Sequence, residues 1–158
     1  MAERSLKDRA LALLARRDHS CLELRRKLAT HGEAAEIEEV LARLQELGLL
    51  SEERFANARA GSRSQRFGDR RIRHDLQQAG VPGTLIDEAV TGLAQTELER
   101  ARNVWQKKFG EKVGAGPQTA QDYARQARFL SGRGFGADTV RRVLREMPDD
   151  APDNADAI

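Results

Sequence analysis

The chain has 158 residues, of which 39% are apolar, 33% charged and only 4% aromatic, a balance that suits one body of thin helical layers and not a thick central core. Its single cysteine, Cys21, excludes an intrachain disulfide and a zinc site built on a cysteine pair. The net charge of +2 conceals an asymmetry: residues 148–158 hold four aspartates and no Lys or Arg, whereas six arginines from Arg59 to Arg73 face one acid, Asp69.

Along the chain, the first predicted helix runs from Leu6 to Arg16. Ser20-Cys-Leu-Glu23 has the form of a capping box and opens a second helix, with Leu24 and Leu28 one turn apart and Gly32 at its end. Ile37, Val40, Leu41 and Leu44 form the apolar stripe of a third helix. Ser51-Glu-Glu places a cap and acid at the start of a helix from Glu52 to Gln65. Ile72, Leu76 and Gly80 then repeat the earlier pattern, Pro82 fits a first helical turn, and Ile86, Ala89, Val90 and Leu93 supply the next stripe. A helix from Thr96 to Lys108 precedes Gly110 to Gln118, whose glycines and Pro117 read as a flexible loop. Thr119-Ala-Gln-Asp122 is a weaker cap, and Leu130, Gly134, Val140, Val143, Leu144 and Met147 complete a third copy. The acidic segment from Pro148 onward is expected to be disordered.

These elements form an internal repeat. Apolar residues follow Gly32 at offsets of 5, 8, 9 and 12, and follow both Gly80 and Gly134 at 6, 9, 10 and 13. In each copy the glycine is expected to take the left-handed backbone that ends a helix. The third copy departs at Gln126, where an apolar residue is expected, so its stripe is predicted to be rotated or weakened. The predicted fold is all-α, with nine helices in a tandem array of three three-helix, helix-turn-helix-like repeats that stack in a line. The repeats occupy 1–50, 51–94 and 95–147, followed by a tail over 148–158.

Catalytic chemistry is not expected. His19, His31 and His74 lie at no metal-ligand spacing, so neither a metal nor a cofactor is expected. Gly132-Arg-Gly-Phe-Gly136 follows no strand and lacks the lysine of a phosphate loop. Cys21 follows a cap residue, where a helix N-terminus lowers a thiol pKa, but no base accompanies it, and it reads as a partly buried structural thiol. With no apolar leader and no run near the ~18 residues of a membrane span, a cytoplasmic protein is expected. What remains is charge. Arg25, Arg26, Lys27, Arg63, Arg66, Arg70, Arg71, Arg73, Arg125, Arg128 and Arg133 form basic faces on or near the helix before each glycine turn, suited to phosphates or an acidic groove. The structural alternative is a set of solvated helix faces with intrahelical Glu–Arg pairs.

Four segments carry a family resemblance: Ala10-Leu-Ala-Leu-Leu-Ala-Arg-Arg17 with His19-Ser20 and Glu23-Leu-Arg-Arg-Lys-Leu28; Gly48-Leu-Leu-Ser-Glu-Glu-Arg-Phe-Ala56; Arg70-Arg-Ile72 with Leu76 and Gly80-Val81; and Arg128-Phe-Leu130 with Arg133-Gly-Phe135. Together they resemble RecX, the bacterial regulatory family that modulates the RecA recombinase. The chain departs from that pattern at Phe67-Gly68-Asp69 and Gly136-Ala137, where weaker local capping is expected. The resemblance implies a curved, elongated monomer that binds the groove of the RecA–ssDNA filament. It also implies inhibition of ATP hydrolysis, strand exchange and co-protease activity in recombination and the SOS response, with single-stranded DNA as a possible direct contact. The alternatives are a direct DNA-binding helix-turn-helix protein and a helical scaffold for peptides.

Overall fold

Why each helix starts where it does is visible in its first turn. In the computed structural model, which describes residues 3–113, 117 and 119–146, the Ser5, Ser20, Ser51, Thr96 and Thr119 hydroxyls each accept the backbone N–H three residues on, at 3.0–3.2 Å. Each bond satisfies one of the orphan donors at a helix N-terminus. The reciprocal half of a capping box forms at Thr96, whose N–H donates to Glu99 Oε2 at 2.8 Å. At Ser20 the Glu23 carboxylate instead meets Arg17 and Arg59, and the Cys21 N–H donates to Glu52 Oε1 at 2.6 Å.

Nine helices and no strand are present among the described residues: α1 (Leu6–Arg16), α2 (Cys21–Leu28), α3 (Ala34–Glu46), α4 (Glu52–Ser64), α5 (Asp69–Gln78), α6 (Gly83–Thr91), α7 (Glu97–Val113), α8 (Ala120–Gly132) and α9 (Ala137–Glu146). Pro82 is the N-cap of α6, one position before the first turn in which it was expected. Helix α7 continues through Gly110 to Val113, where the start of a loop was expected, and residues 114–116 and 118 lie outside the described residues. So do Met147 and the segment from Pro148 onward.

Left-handed glycines end α3, α5 and α8: Gly48, Gly80 and Gly134 have φ of 70°, 78° and 87°. In each case the next residue's N–H reaches back five positions, as from Val81 to the Leu76 carbonyl at 3.1 Å and from Phe135 to the Leu130 carbonyl at 3.2 Å, which is the Schellman closure. Gly32 was expected to play this part and does not. Its loop is one residue shorter, and what it provides is space: a Cβ there would lie 2.7 Å from Leu6 Cδ1.

The chain falls into two compact units, Met1–Ser62 with Arg73–Gly92, and Arg63–Ile72 with Leu93–Ile158. In the first unit α1, α2 and α3 pack together on an aliphatic core of Ala10, Leu24, Leu28, Ile37, Leu41, Leu44 and Leu50. In the second, α7, α8 and α9 pack around Trp105, Phe109, Leu130, Phe135 and Val143. Gln126 is fully buried there and accepts a hydrogen bond from Trp105 Nε1 at 2.8 Å. The α8 stripe is therefore not rotated: a glutamine takes the apolar position because the one tryptophan of the chain needs an acceptor when buried.

Candidate arginine-rich interface

The turn between α4 and α5 carries the densest basic sequence, and its geometry is set by backbone contact with the turn between α8 and α9. Gly68 N–H donates to the Arg133 carbonyl at 2.9 Å, and Arg70 N–H to the Gly134 carbonyl at 3.2 Å. A Cβ on Gly68 would collide with the Gly134 carbonyl, so the approach depends on glycine at this position. The departure at Phe67-Gly68-Asp69, expected to weaken capping, is thus a docking turn.

Phe67 sits at the centre of this junction. The guanidinium carbons of Arg63, Arg71 and Arg133 lie 5.6, 5.3 and 5.5 Å from its ring centroid. Arg133 also lies 5.2 Å from the Phe129 ring, which takes Lys108 at 5.7 Å and meets Phe109 edge-on at 5.3 Å. A ring face attracts a cation without cancelling its charge. Three like charges are therefore held around one side chain. Arg66 and Arg70 flank the junction, exposed and without a carboxylate partner among the described residues.

Beneath it lies a buried charge. Arg100, 3% exposed, pairs with Asp69 and donates to the Phe67 carbonyl at 2.8 Å and the Ser64 carbonyl at 3.4 Å. These bonds anchor the end of α4 and the turn that follows it. Burial, together with the nearby Asp69 charge, raises the Glu97 carboxyl above its ordinary range, although its Oε1 accepts the Gly136 N–H at 2.7 Å.

The other predicted site residues behave differently. Arg25, Arg26, Lys27 and Arg73 belong to the first unit. Arg25 is bound by both Glu38 oxygens at 2.5 and 3.2 Å, which holds that carboxyl below its usual range, and Arg73 pairs with Asp87. These pairs are equivalent by repeat position: each cation follows the first residue of the repeated apolar pair, Leu24 or Ile72, and each acid follows the isoleucine of the next helix. At the corresponding places in the third copy stand Ala127 and Arg141, and Arg141 pairs within α9 with Asp138. Lys27 Nζ lies 3.4 Å from His19 Nε2, and Arg26 is exposed. In the second unit Arg125 pairs with Asp122 at 3.5 Å, and Arg128 Nε donates to the Ala124 carbonyl at 3.3 Å. Arg25 and Arg73 thus pair between helices and Arg125 within its own, whereas Arg63, Arg71 and Arg133 converge on Phe67. Lys108, Phe67 and Phe129 were not foreseen; the i,i+4 spacing of Arg63 and Phe67 was the signal that pointed to them. No group of His, Cys, Asp and Glu able to hold a metal occurs among the described residues, and none of their helices is long and apolar enough to cross a membrane.

Models of the first, second and third three-helix domains of RecX match residues 7–44, 51–90 and 95–144. The chain belongs to the RecX family. It is 50% identical over 142 residues to the regulatory protein RecX of Leptothrix cholodnii, covering 89% of this chain and 88% of that one. Against the regulatory protein RecX of Chromobacterium violaceum it is 42% identical over 150 residues, covering 93% of each. The fold is that of a crystal structure of RecX from Lactobacillus salivarius, with a TM-score of 0.74, 17% identity, and 90% and 94% of the two chains covered. A second crystal structure of regulatory protein RecX superposes with a TM-score of 0.75 at 19% identity, over 89% of this chain and 72% of that one.

Proposed function

We propose that this chain regulates recombination by binding, as a single copy in the cytoplasm, to the groove of a RecA–ssDNA filament and inhibiting its ATP hydrolysis, strand exchange and co-protease activity. The observation that carries this reading is the clasp of Arg63, Arg71 and Arg133 on Phe67. It gathers three positive charges at one place, where phosphate or an acidic protein groove can meet them together. Family membership supplies the regulatory role, and three homologous basic helices give a repeating partner more than one point of attachment, so that weak contacts add by avidity.

The test is a titration of RecA–ssDNA filament ATPase with the wild-type chain, with Arg70→Glu/Arg133→Glu, and with Arg25→Glu/Arg73→Glu. The second-unit variant is expected to need roughly tenfold more protein for the same inhibition, the effect of about 1.4 kcal/mol of lost binding; the first-unit variant should need much less extra. A wild-type chain that leaves ATPase and strand exchange unchanged at stoichiometric amounts would falsify the reading. Direct DNA binding is favoured by the same arginines and makes a different prediction: tight, strongly salt-dependent association with bare ssDNA in the absence of recombinase.

A further inference from the structure

The first unit holds a second basic feature that the arginine clasp does not use. Arg9, Leu13 and Arg16 share one face of α1 by their spacing of four and three residues. That face, with Arg4 ahead of the helix and Lys27, Leu28 and His31 at the end of α2, lines a cleft of about 260 Å³. Leu13 and Leu28 form its apolar floor, and no carboxylate is among its described lining residues. Two contacts shape it. Arg9 Nε donates to the Arg4 carbonyl at 3.3 Å, tying the segment before α1 against the helix. His19, buried, places Nδ1 3.0 Å from the Arg17 carbonyl, and its Nε2 lies 3.4 Å from Lys27 Nζ. With Nδ1 as the donor, Nε2 is left to accept, so the neutral ring holds the ammonium in place.

A helix C-terminus carries only about half a negative charge, which one cation offsets. Arg4, Arg9, Arg16 and Lys27 bring four positive charges to one concave surface. We propose that this cleft binds a phosphate group, carried either by a free nucleotide or by a nucleic-acid strand. Its volume is below the ~300 Å³ at which pockets for drug-sized ligands begin, which suits a phosphate or pyrophosphate group better than a whole nucleoside. The proposal is independent of filament binding and is tested without recombinase.

The experiment follows backbone amide shifts of the full chain during titration with inorganic pyrophosphate, a 5′-phosphorylated oligothymidylate and the same oligonucleotide without its terminal phosphate. Pyrophosphate is expected to shift amides of residues 9–16 and 27–31. Arg16→Gln/Lys27→Gln is expected to weaken binding at least tenfold, and Arg4→Gln, which lies outside any helix, repeats the test should the double variant lose its fold. Preference for the phosphorylated strand assigns a terminal phosphate, and equal response to both strands assigns the backbone. The absence of shifts in this segment with all three probes, or shifts unaltered by the substitutions, overturns the proposal.

Discussion

Both units pair arginines with carboxylates, but the second also gathers several cations on two rings. In the first, Arg25 meets Glu38, Arg73 meets Asp87, Arg54 meets Asp18, and Glu23 is shared by Arg17 and Arg59. In the second, Arg63, Arg71, Arg133 and Lys108 lie against Phe67 and Phe129. A carboxylate fixes a guanidinium and cancels its charge, whereas a ring fixes it and leaves the charge in place. Counting basic residues in sequence therefore overstates the charge that Arg25 and Arg73 offer. The cores differ in the same way: aliphatic in one unit, aromatic with a buried amide in the other.

The strongest way to break this contrast is Trp105→Ala. It empties the centre of the aromatic core and removes the donor to Gln126, at a cost of about 3–5 kcal/mol. Hydrogen exchange should show protection lost across α7–α9 and retained in α1–α3; equal loss in both would mean that the units are not separable in stability. Gly134→Ala comes next. The left-handed backbone resists a side chain, and the added Cβ would lie 2.5 Å from Arg71 Cβ, so a loss of roughly 1–3 kcal/mol is expected. The sharper readout is filament inhibition, which should fall with the displaced Arg71 and Arg133 even in buffers where the fold persists.

Smaller effects are expected in the first unit. Asp87→Asn frees Arg73 from an ion pair whose acid is largely exposed, so thermal stability should stay within error. Affinity for anionic partners should rise and become more salt-dependent. An unchanged salt dependence would remove the argument that the carboxylate masks this cation. The last prediction concerns pH. Burial lowers the His19 pKa below its ordinary 6.5, so between that value and the folded one the unfolded chain binds more protons. Stability of the first unit should therefore decline as pH falls below about 6.5, and denaturation midpoints at pH 7 and pH 5 in wild type and His19→Gln would measure it. Cys21 is pushed up to about 12 by burial and by Glu52, in keeping with a structural thiol, and should react slowly with alkylating reagents at neutral pH.

Much of the architecture was legible because it rests on local chemistry. Helix caps, apolar periodicity and the glycine turns at Gly80 and Gly134 each depend on a few adjacent residues, and the helix starts at Ser20, Ser51 and Thr119 follow from them. The family signatures were likewise read from contiguous runs. Ser5 and Thr96 cap their helices by the same local chemistry. Gly32 misled because two physical needs, a left-handed turn and a close approach, select the same residue.

Sequence by itself thus determined nine helices, their threefold recurrence and where positive charge is concentrated, since these are properties of spacing along one chain. Tertiary structure alone decided which cations meet acids or rings far along the chain. Glu38 lies 13 residues from Arg25, Asp69 lies 31 from Arg100, and Phe67 is brought to Arg133 from another part of the chain. Pairs three or four residues apart, such as Arg63 with Phe67 and Arg125 with Asp122, follow from helical spacing, whereas these distant pairs depend on packing that no local pattern encodes.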